Sequence, residues 1–197
     1  TRLKRDLNRK ENSYREERKK LESNDRLEIL RSRNGRFRRD LMENAYEAHS
    51  LLRKQRTPDM KYFEAPVVCC RVTDRRYAKY FEKVIDNNSL FAFFFEDEGQ
   101  YKATSKILPR HLNVPMRVAG RNTIPQPILL EELRQMGFDG YLSEFITGPE
   151  TVVRGLNSRS YLNHIPVALN PISPGVQKRL LAPTNSGKTL FSRFIVG

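Results

Sequence analysis

The sequence predicts an α+β globule preceded by a long helical coiled-coil arm, and two observations support this class. No proline occurs from residue 2 to residue 56, and the apolar side chains there recur at intervals of three, four and seven residues, as in a helix with a thin apolar stripe. From Thr57-Pro58 onwards, short apolar runs alternate with short helical patterns.

The charge and composition limit the possible partners. A net charge of +13 suits a polyanion, with nucleic acid the first candidate and an acidic membrane surface the second. No apolar run approaches the roughly 20 residues of a membrane helix, and no signal peptide opens the chain. We therefore expect a soluble intracellular protein without a membrane partner. Because the sequence starts at Thr1, we also expect a fragment.

The cysteines and histidines give no sign of a metal site, a cofactor or a small-molecule substrate. Cys69 and Cys70 are adjacent in an apolar run, where a strand would turn them to opposite faces, so we expect buried thiols in a reducing compartment. The three histidines lie far apart in the sequence, without cysteine or carboxylate at ligand spacing.

The arm is predicted over residues 1–57. Nineteen Lys and Arg against eleven Asp and Glu in residues 1–61 leave its apolar stripe thin and broken. Such a helix is marginal alone and must be covered by another helix, as in a coiled coil. A basic cluster lies beside an interruption at Asn34-Gly35, and it is either a solvated helix face or a phosphate contact. The cluster consists of Arg36, Arg38 and Arg39.

The globule begins at residue 58, because the proline there disfavours helix in the residue before it. Its first part, 58–134, is predicted to contain three strands and two helices. In chain order these are strand 66–72, a helix that is capped by Thr73-Asp74 and ends near residue 85, strand 90–95, helix 101–108 and strand 114–118. The second of these strands contains four phenylalanines. We interpret them as a strand buried on both faces and not as a base-stacking platform.

The second part, 135–197, contains three glycines that separate short elements. Gly137 closes a helix over 127–136. Phe138, Tyr141, Leu142, Phe145 and Ile146 recur at helical spacing and predict a second helix, which the pair Gly148-Pro149 ends. An edge strand is predicted at 165–169, where Pro166 would be tolerated. A final strand is predicted over 189–196.

No acidic residue follows Glu150, so that six cations stand uncompensated over 47 residues. They form either a nucleic-acid surface or a merely solvated one. These cations are Arg154, Arg159, Lys178, Arg179, Lys188 and Arg193.

The segment 182–189, Ala-Pro-Thr-Asn-Ser-Gly-Lys-Thr, fits a permissive phosphate-loop pattern. In that alternative Lys188 would bind the terminal phosphates and Thr189 a magnesium ion. Ala182 replaces the first glycine, Pro183 removes one amide, and the following residues suit a strand better than a helix. A turn before the final strand is therefore the favoured interpretation.

Several motifs occur in the order found in one known family. The segment from Gly137 to Leu156 resembles the core signature of the hinge of structural-maintenance-of-chromosomes (SMC) proteins. Segments 75–78, 81–85, 88–93 and 164–167 resemble the same hinge, and the similarity spans about residues 62–197. The glycine-rich dimerisation runs of condensin and cohesin hinges are missing, which points to the fifth and sixth members of the family.

The resemblance implies a non-catalytic hinge with mixed sheets in two small half-domains, 58–134 and 135–197. The full-length protein would be an ATPase through head domains, nuclear and chromatin-associated, acting in DNA repair and chromosome maintenance. The hinge would form a heterodimer with that of the sixth SMC protein through sheet edges and a latch strand, and would bind single-stranded DNA on its cations. A protein-only dimerisation joint is the alternative. The expected partner contacts are Ile165, Val167, Phe191, Phe194 and Ile195, although Phe191 and Phe194 could equally be core.

Overall fold

The structure, a computed structural model, describes residues 6–15, 26–27, 39–55, 60–120, 124–184 and 187–197. Short helices and three small sheets make up the globule, so the predicted α+β class is confirmed. In the arm, residues 6–15 are helical and exposed, and helix α1 spans Arg39–Lys54. Of the helices described, none is both long and apolar enough to span a bilayer.

The apolar stripe of α1 packs on the globule. Its first turns contribute Leu41 and Met42 to a cluster with Val68 and Phe91, and its last turns contribute Leu52 to a cluster around Phe93. Polar contacts accompany this packing. The Glu64 carboxylate lies 3.0 Å from His49 and 3.2 Å from Arg53 of α1. The hydrogen bond with His49 is the main reason that the pKa of Glu64 is lowered. The globule itself therefore covers this stretch of the arm.

A second contact joins the arm to the globule at Arg26. Its Nη1 donates to the carbonyl oxygens of Val68 and Cys70, each at 3.0 Å. The neighbouring Leu27 is buried in the same cluster as the start of α1. These two described residues therefore lie against the globule.

The first part of the globule pairs two strands in parallel, β2 with β3, in the register Phe93 to Met116. All four phenylalanines of its aromatic run are fully buried, which confirms the core interpretation. The elements are α2 (Pro66–Cys69), β1 (Arg71–Val72), a 3-10 turn (Arg75–Tyr77), α3 (Ala78–Val84), α4 (Asn87–Leu90), β2 (Phe93–Phe95), α5 (Glu98–Ser105) and β3 (Met116–Val118).

Two strand predictions in this part are wrong at their N-terminal ends. Residues 66–69 form a helical turn, in which the amides of Cys69 and Cys70 donate to the carbonyls of Ala65 and Pro66. Proline at the first helical position suits this start as well as it suits a strand. Residues 87–90 are also helical, because the Asp86 carboxylate accepts from the Ser89 amide at 2.9 Å and from its hydroxyl at 2.6 Å.

The second part contains the three-stranded sheet, in the order β4-β6-β7. Gly137 has φ +92° and ends the first helix, as predicted. The elements are α6 (Leu130–Gln135), β4 (Gly140–Tyr141), a 3-10 turn (Leu142–Phe145), β5 (Ile146–Thr147), α7 (Glu150–Ser160), a 3-10 turn (Leu162–His164), β6 (Pro166–Ala168), α8 (Pro174–Leu181) and β7 (Ile195–Val196).

The helix predicted over 138–146 is wrong. Its apolar residues serve two different clusters, since Phe138 and Tyr141 pack with Phe191 while Leu142 and Ile146 enter the main core. A single helix face could not divide them in this way. Two short strands with a 3-10 turn between them do so.

The prediction of an edge strand at 165–169 is also wrong, because β6 lies between β4 and β7. Pro166 is tolerated for another reason. It lies opposite Tyr141 of β4, whereas the pairing with β7 begins one residue later, at Val167. Pro166 has no amide hydrogen to donate, but no hydrogen bond between β6 and β7 is lost, because their pairing starts only at Val167. The final strand is shorter than predicted, with only Ile195 and Val196 in the sheet.

Helix α7 approaches β2 very closely. A Cβ atom at Gly155 would overlap the ring of Phe94, 2.5 Å from its Cδ1. Val152 and Leu156 on the same face are fully buried. Glycine is therefore required at 155 by the space between helix and sheet.

Candidate functional site

Two arginines of α7 have different surroundings. Arg154 is half-buried, and it donates from Nε to the Gly120 carbonyl at 2.8 Å and from Nη1 to the Glu150 carboxylate at 3.1 Å. Arg159, five residues further along the helix, is exposed. The structure therefore gives Arg154 a role within the fold and leaves Arg159 accessible to an anion.

Arg159 and Arg193 line one groove, although 34 residues separate them in the sequence. The groove has a volume of about 520 Å³, within the roughly 300–1,000 Å³ usual for small-ligand sites. Both arginines are exposed. The remaining lining residues are Val84, Asp86, Ser160, Tyr161, His164, Ile165 and Ser192.

Tyr161 has an unusual backbone in this groove. It follows the last residue of α7 with φ 51° and ψ 38°, which is left-handed geometry, and among the described residues it is the only non-glycine with positive φ. Its side chain is 53% exposed. A non-glycine residue in this conformation costs roughly 1–3 kcal/mol.

His164 lies beside Tyr161 with its ring fixed. The two ring centroids are 5.8 Å apart, in an edge-to-face arrangement. Its Nε2 lies 2.8 Å from the Pro125 carbonyl oxygen, which requires that this nitrogen carry the proton and donate. The His164 ring is thus held in place beside Tyr161.

Asp86 is the acidic residue that lines the groove. Burial alone would raise its pKa, but the hydrogen bonds from Ser89 and the positive charge of Arg159 outweigh burial, so the pKa is lowered. Both carboxylate oxygens accept from Ser89. Asp86 therefore stays ionised, and its negative charge is stabilised by the hydrogen bonds from Ser89 and by the positive charge of Arg159.

The other predicted cations are not among the residues that line this groove. Lys178 and Arg179 are exposed in the last turn of α8, and Lys188 is exposed in the segment before β7. Arg39 is exposed at the first position of α1. Arg36 and Arg38 lie outside the described residues.

The expected partner contacts divide into buried and accessible residues. Ile165 and Val167 are buried, at 4% and 0% exposure, as parts of this chain's own core. Phe191 is also core, packed edge-to-face on Phe138 and Tyr141. Phe194 and Ile195 are half-buried. They lie at or next to β7, which is an outer strand of its sheet.

The phosphate-loop alternative lacks its structural requirement. A phosphate loop needs a helix directly after the Gly-Lys-Thr sequence. Within the described residues 187–197, Lys188 and Thr189 are followed by bends and the short strand β7, without a helix. The Thr184 amide donates to the Lys188 carbonyl at 2.8 Å, which closes a turn. Residues 185–186 lie outside the described part.

Sequence reasoning missed Tyr161 and His164 as parts of the site. The available signal was an aromatic residue directly after α7, where glycine commonly ends a helix. Tyr161 lies two residues after Arg159, in the region without acidic residues. This signal points to a site only when the structure places Arg193 in the same groove.

The fold is similar to that of SMC hinge domains, so the resemblance predicted from the sequence is confirmed at the level of the fold. A crystal structure of the S. pombe Smc5/6 hinge domain matches with a TM-score of 0.74 and 20% identity, over 96% of this chain and 68% of that chain. No family model matches the sequence.

Two further hinge structures match with lower scores. The Pyrococcus furiosus Smc hinge domain with an extended coiled coil has a TM-score of 0.45 and 15% identity, over 86% of this chain and 58% of that one. An asymmetric dimer of the Geobacillus stearothermophilus SMC hinge domain has a TM-score of 0.47 and 16% identity, over 81% and 63%.

Proposed function

We propose that this chain is the hinge of an SMC complex subunit that pairs with a different SMC hinge, that of the sixth member, and binds single-stranded DNA. Its role would be non-catalytic, in DNA repair and chromosome maintenance on nuclear chromatin. One observation carries the proposal: the segment 192–196 combines an outer strand with Arg193, an exposed arginine of the groove that Arg159 also lines. A partner contact and a DNA contact would therefore be neighbours.

The partner contact follows from the pairing of β7. Its inner side is bonded to β6 in the register Val167 to Ile195, and as the last strand in its sheet it presents an outer side. An outer strand is a template for a strand of another chain. Half-buried Phe194 and Ile195 would add apolar contact, as expected for a latch.

Hydrogen exchange tests this contact with an internal control. When a sixth-member SMC hinge is added, the amides of 192–197 should gain protection, whereas those of β6 should change little because β6 is already paired on both sides. Sedimentation velocity should show a one-to-one complex. A complex that forms without protection at 192–197 would contradict the proposed edge.

The DNA contact would use the exposed cations near the C-terminal part of the chain. Cationic contacts to phosphates give affinity without sequence readout. For single strands, the logarithm of the binding constant falls with the logarithm of the salt concentration, with a slope of roughly 0.7 per phosphate contact. Acidic residues are absent from the sequence after Glu150, and in the groove Asp86 is the one acidic residue beside Arg159 and Arg193. The proposed contacts are Arg159, Lys178, Arg179, Lys188 and Arg193, with Arg39 on the arm.

Charge reversal tests the DNA contact. Lys178, Arg179, Lys188 and Arg193 changed together to Glu should weaken binding of a labelled oligothymidylate, measured by fluorescence anisotropy, and flatten its salt dependence. Arg193→Glu alone should weaken binding, and its matched control is Arg75→Glu, which reverses an exposed arginine elsewhere on the globule. The unmodified protein could also bind the partner hinge without binding any oligonucleotide. That result would refute the proposed DNA binding and leave a dimerisation joint that contacts protein only.

A further inference from the structure

The left-handed tyrosine at the end of α7 needs an explanation that the fold does not supply. Its amide donates to the Asn157 carbonyl at 2.9 Å, and its carbonyl accepts from the His164 amide at 2.8 Å. Both are backbone bonds that glycine would make equally well. Because the ring is 53% exposed, burial does not offset the strained conformation. These backbone bonds therefore do not explain why a tyrosine occupies this position.

The surroundings of Tyr161 suit a base and its phosphates. The rings of Tyr161 and His164 pack in an edge-to-face arrangement with their centroids 5.8 Å apart, and His164 Nε2 is hydrogen-bonded to the Pro125 carbonyl oxygen. Arg159 and Arg193 line the same groove from two separate segments. Sites for single strands combine such an exposed aromatic surface with guanidinium groups that contact the backbone.

We propose that Tyr161 is a base-stacking residue of a single-strand subsite, with Arg159 and Arg193 binding the phosphates that flank the stacked base. This inference rests on the DNA binding proposed above and assigns its centre to the groove. Stacking on a tyrosine accepts any base, because every base has a π face. The subsite would therefore favour unpaired strands, whose bases are free to leave the stack, without selecting a sequence.

Tyr161→Gly separates this role from a structural one. It removes the ring and also relieves the left-handed strain, so the melting temperature should stay the same or rise. Affinity for an oligothymidylate of about 16 nucleotides should fall roughly 5- to 150-fold, the range for losing one stacked base. Tyr161→Phe should retain the affinity. Tyr14→Ala, which removes a ring that is 71% exposed on the arm, should leave it unchanged.

An abasic oligonucleotide distinguishes the ring from the arginines. It keeps the phosphates but has no base to stack, so Tyr161→Gly should not weaken its binding further. Arg159→Gln and Arg193→Gln should weaken binding of both the abasic strand and oligothymidylate. Equal losses on the two strands in Tyr161→Gly would overturn the stacking role.

A tryptophan at the same position gives a direct readout. The chain contains no tryptophan, so Tyr161→Trp introduces a single indole whose fluorescence reports on this groove alone. Oligothymidylate should quench it, whereas the abasic strand should not. Absence of quenching by a strand that still binds would place that strand elsewhere on the protein.

The outcomes keep the two proposals apart. If the unmodified protein does not bind oligothymidylate at low salt, the DNA-binding function itself fails. If it binds and Tyr161→Gly binds equally well, only the stacking subsite is refuted. If Tyr161→Gly loses the partner hinge while keeping the oligonucleotide, the groove is a protein contact and the subsite is likewise refuted.

Discussion

The middle and the C-terminal end of α7 have different tasks. In its middle the helix packs Gly155 against Phe94, and the neighbouring Arg154 donates hydrogen bonds to Gly120 and Glu150. At its C-terminus it exposes Arg159 and ends in a left-handed tyrosine. The comparison shows that the role of an arginine depends on the acceptors around it, because both arginines belong to one basic, acid-free stretch of sequence.

The largest expected effect concerns the packed middle of α7. Gly155→Val would place a branched side chain in the ring of Phe94, and overpacking of a core costs roughly 1–3 kcal/mol, occasionally more. We expect the free energy of unfolding, measured by urea denaturation, to fall by about 3 kcal/mol. Gly175→Val is the control, since a Cβ there meets no atom within 4 Å. Similar losses in the two variants would show that Phe94 does not set the requirement for glycine.

An intermediate effect separates the two arginines. Arg154→Gln should lower the free energy of unfolding by about 1 kcal/mol, because it removes hydrogen bonds from a charged group that is only half-buried, and it should leave oligonucleotide binding unchanged. Arg159→Gln should leave stability within about 0.5 kcal/mol and weaken oligonucleotide binding. Anisotropy titrations and urea denaturation on both variants measure the contrast. Weaker DNA binding in Arg154→Gln alone would reverse the assignment.

The smallest effect is electrostatic. The pKa of Asp86 is lowered in the folded state, so its contribution to stability is present above the unfolded pKa and is lost as the pH falls through the folded value. Because Arg159 contributes to the lowering, Arg159→Gln should raise the pKa of Asp86, observed by NMR titration of its carboxyl carbon. Arg154→Gln should leave that pKa unchanged. An identical titration in all three proteins would show that Arg159 is not coupled to Asp86.

Much of the fold could be predicted from local sequence because local residues determine it. Gly137 ends its helix through positive φ, and the Asp74 side chain accepts from the Arg76 amide to cap the next turn. The failures arose where long-range packing decides. The spacing of 138–146 is helical, yet its residues are shared between two clusters.

The site was less accessible to sequence reasoning than the fold. The cations of the acid-free region could be named, but their neighbours could not, because Arg159 and Arg193 line one groove only after the chain has passed through β6 and α8. The same long-range pairing made β6 a central strand instead of an edge. Tyr161 was missed because it stands out through its left-handed backbone conformation, and the amino-acid sequence does not show the conformation of a single residue.

The contact of Arg26 with the globule has a mechanical consequence. Its guanidinium grips the carbonyls on either side of the step from α2 into β1; β1 is paired with β5, and β5 leads directly into α7. Hydrogen bonds therefore tie Arg26 of the arm to the strand pair that precedes the helix ending in Tyr161, so a displacement of Arg26 would act first on β1 and, through its pairing, on β5.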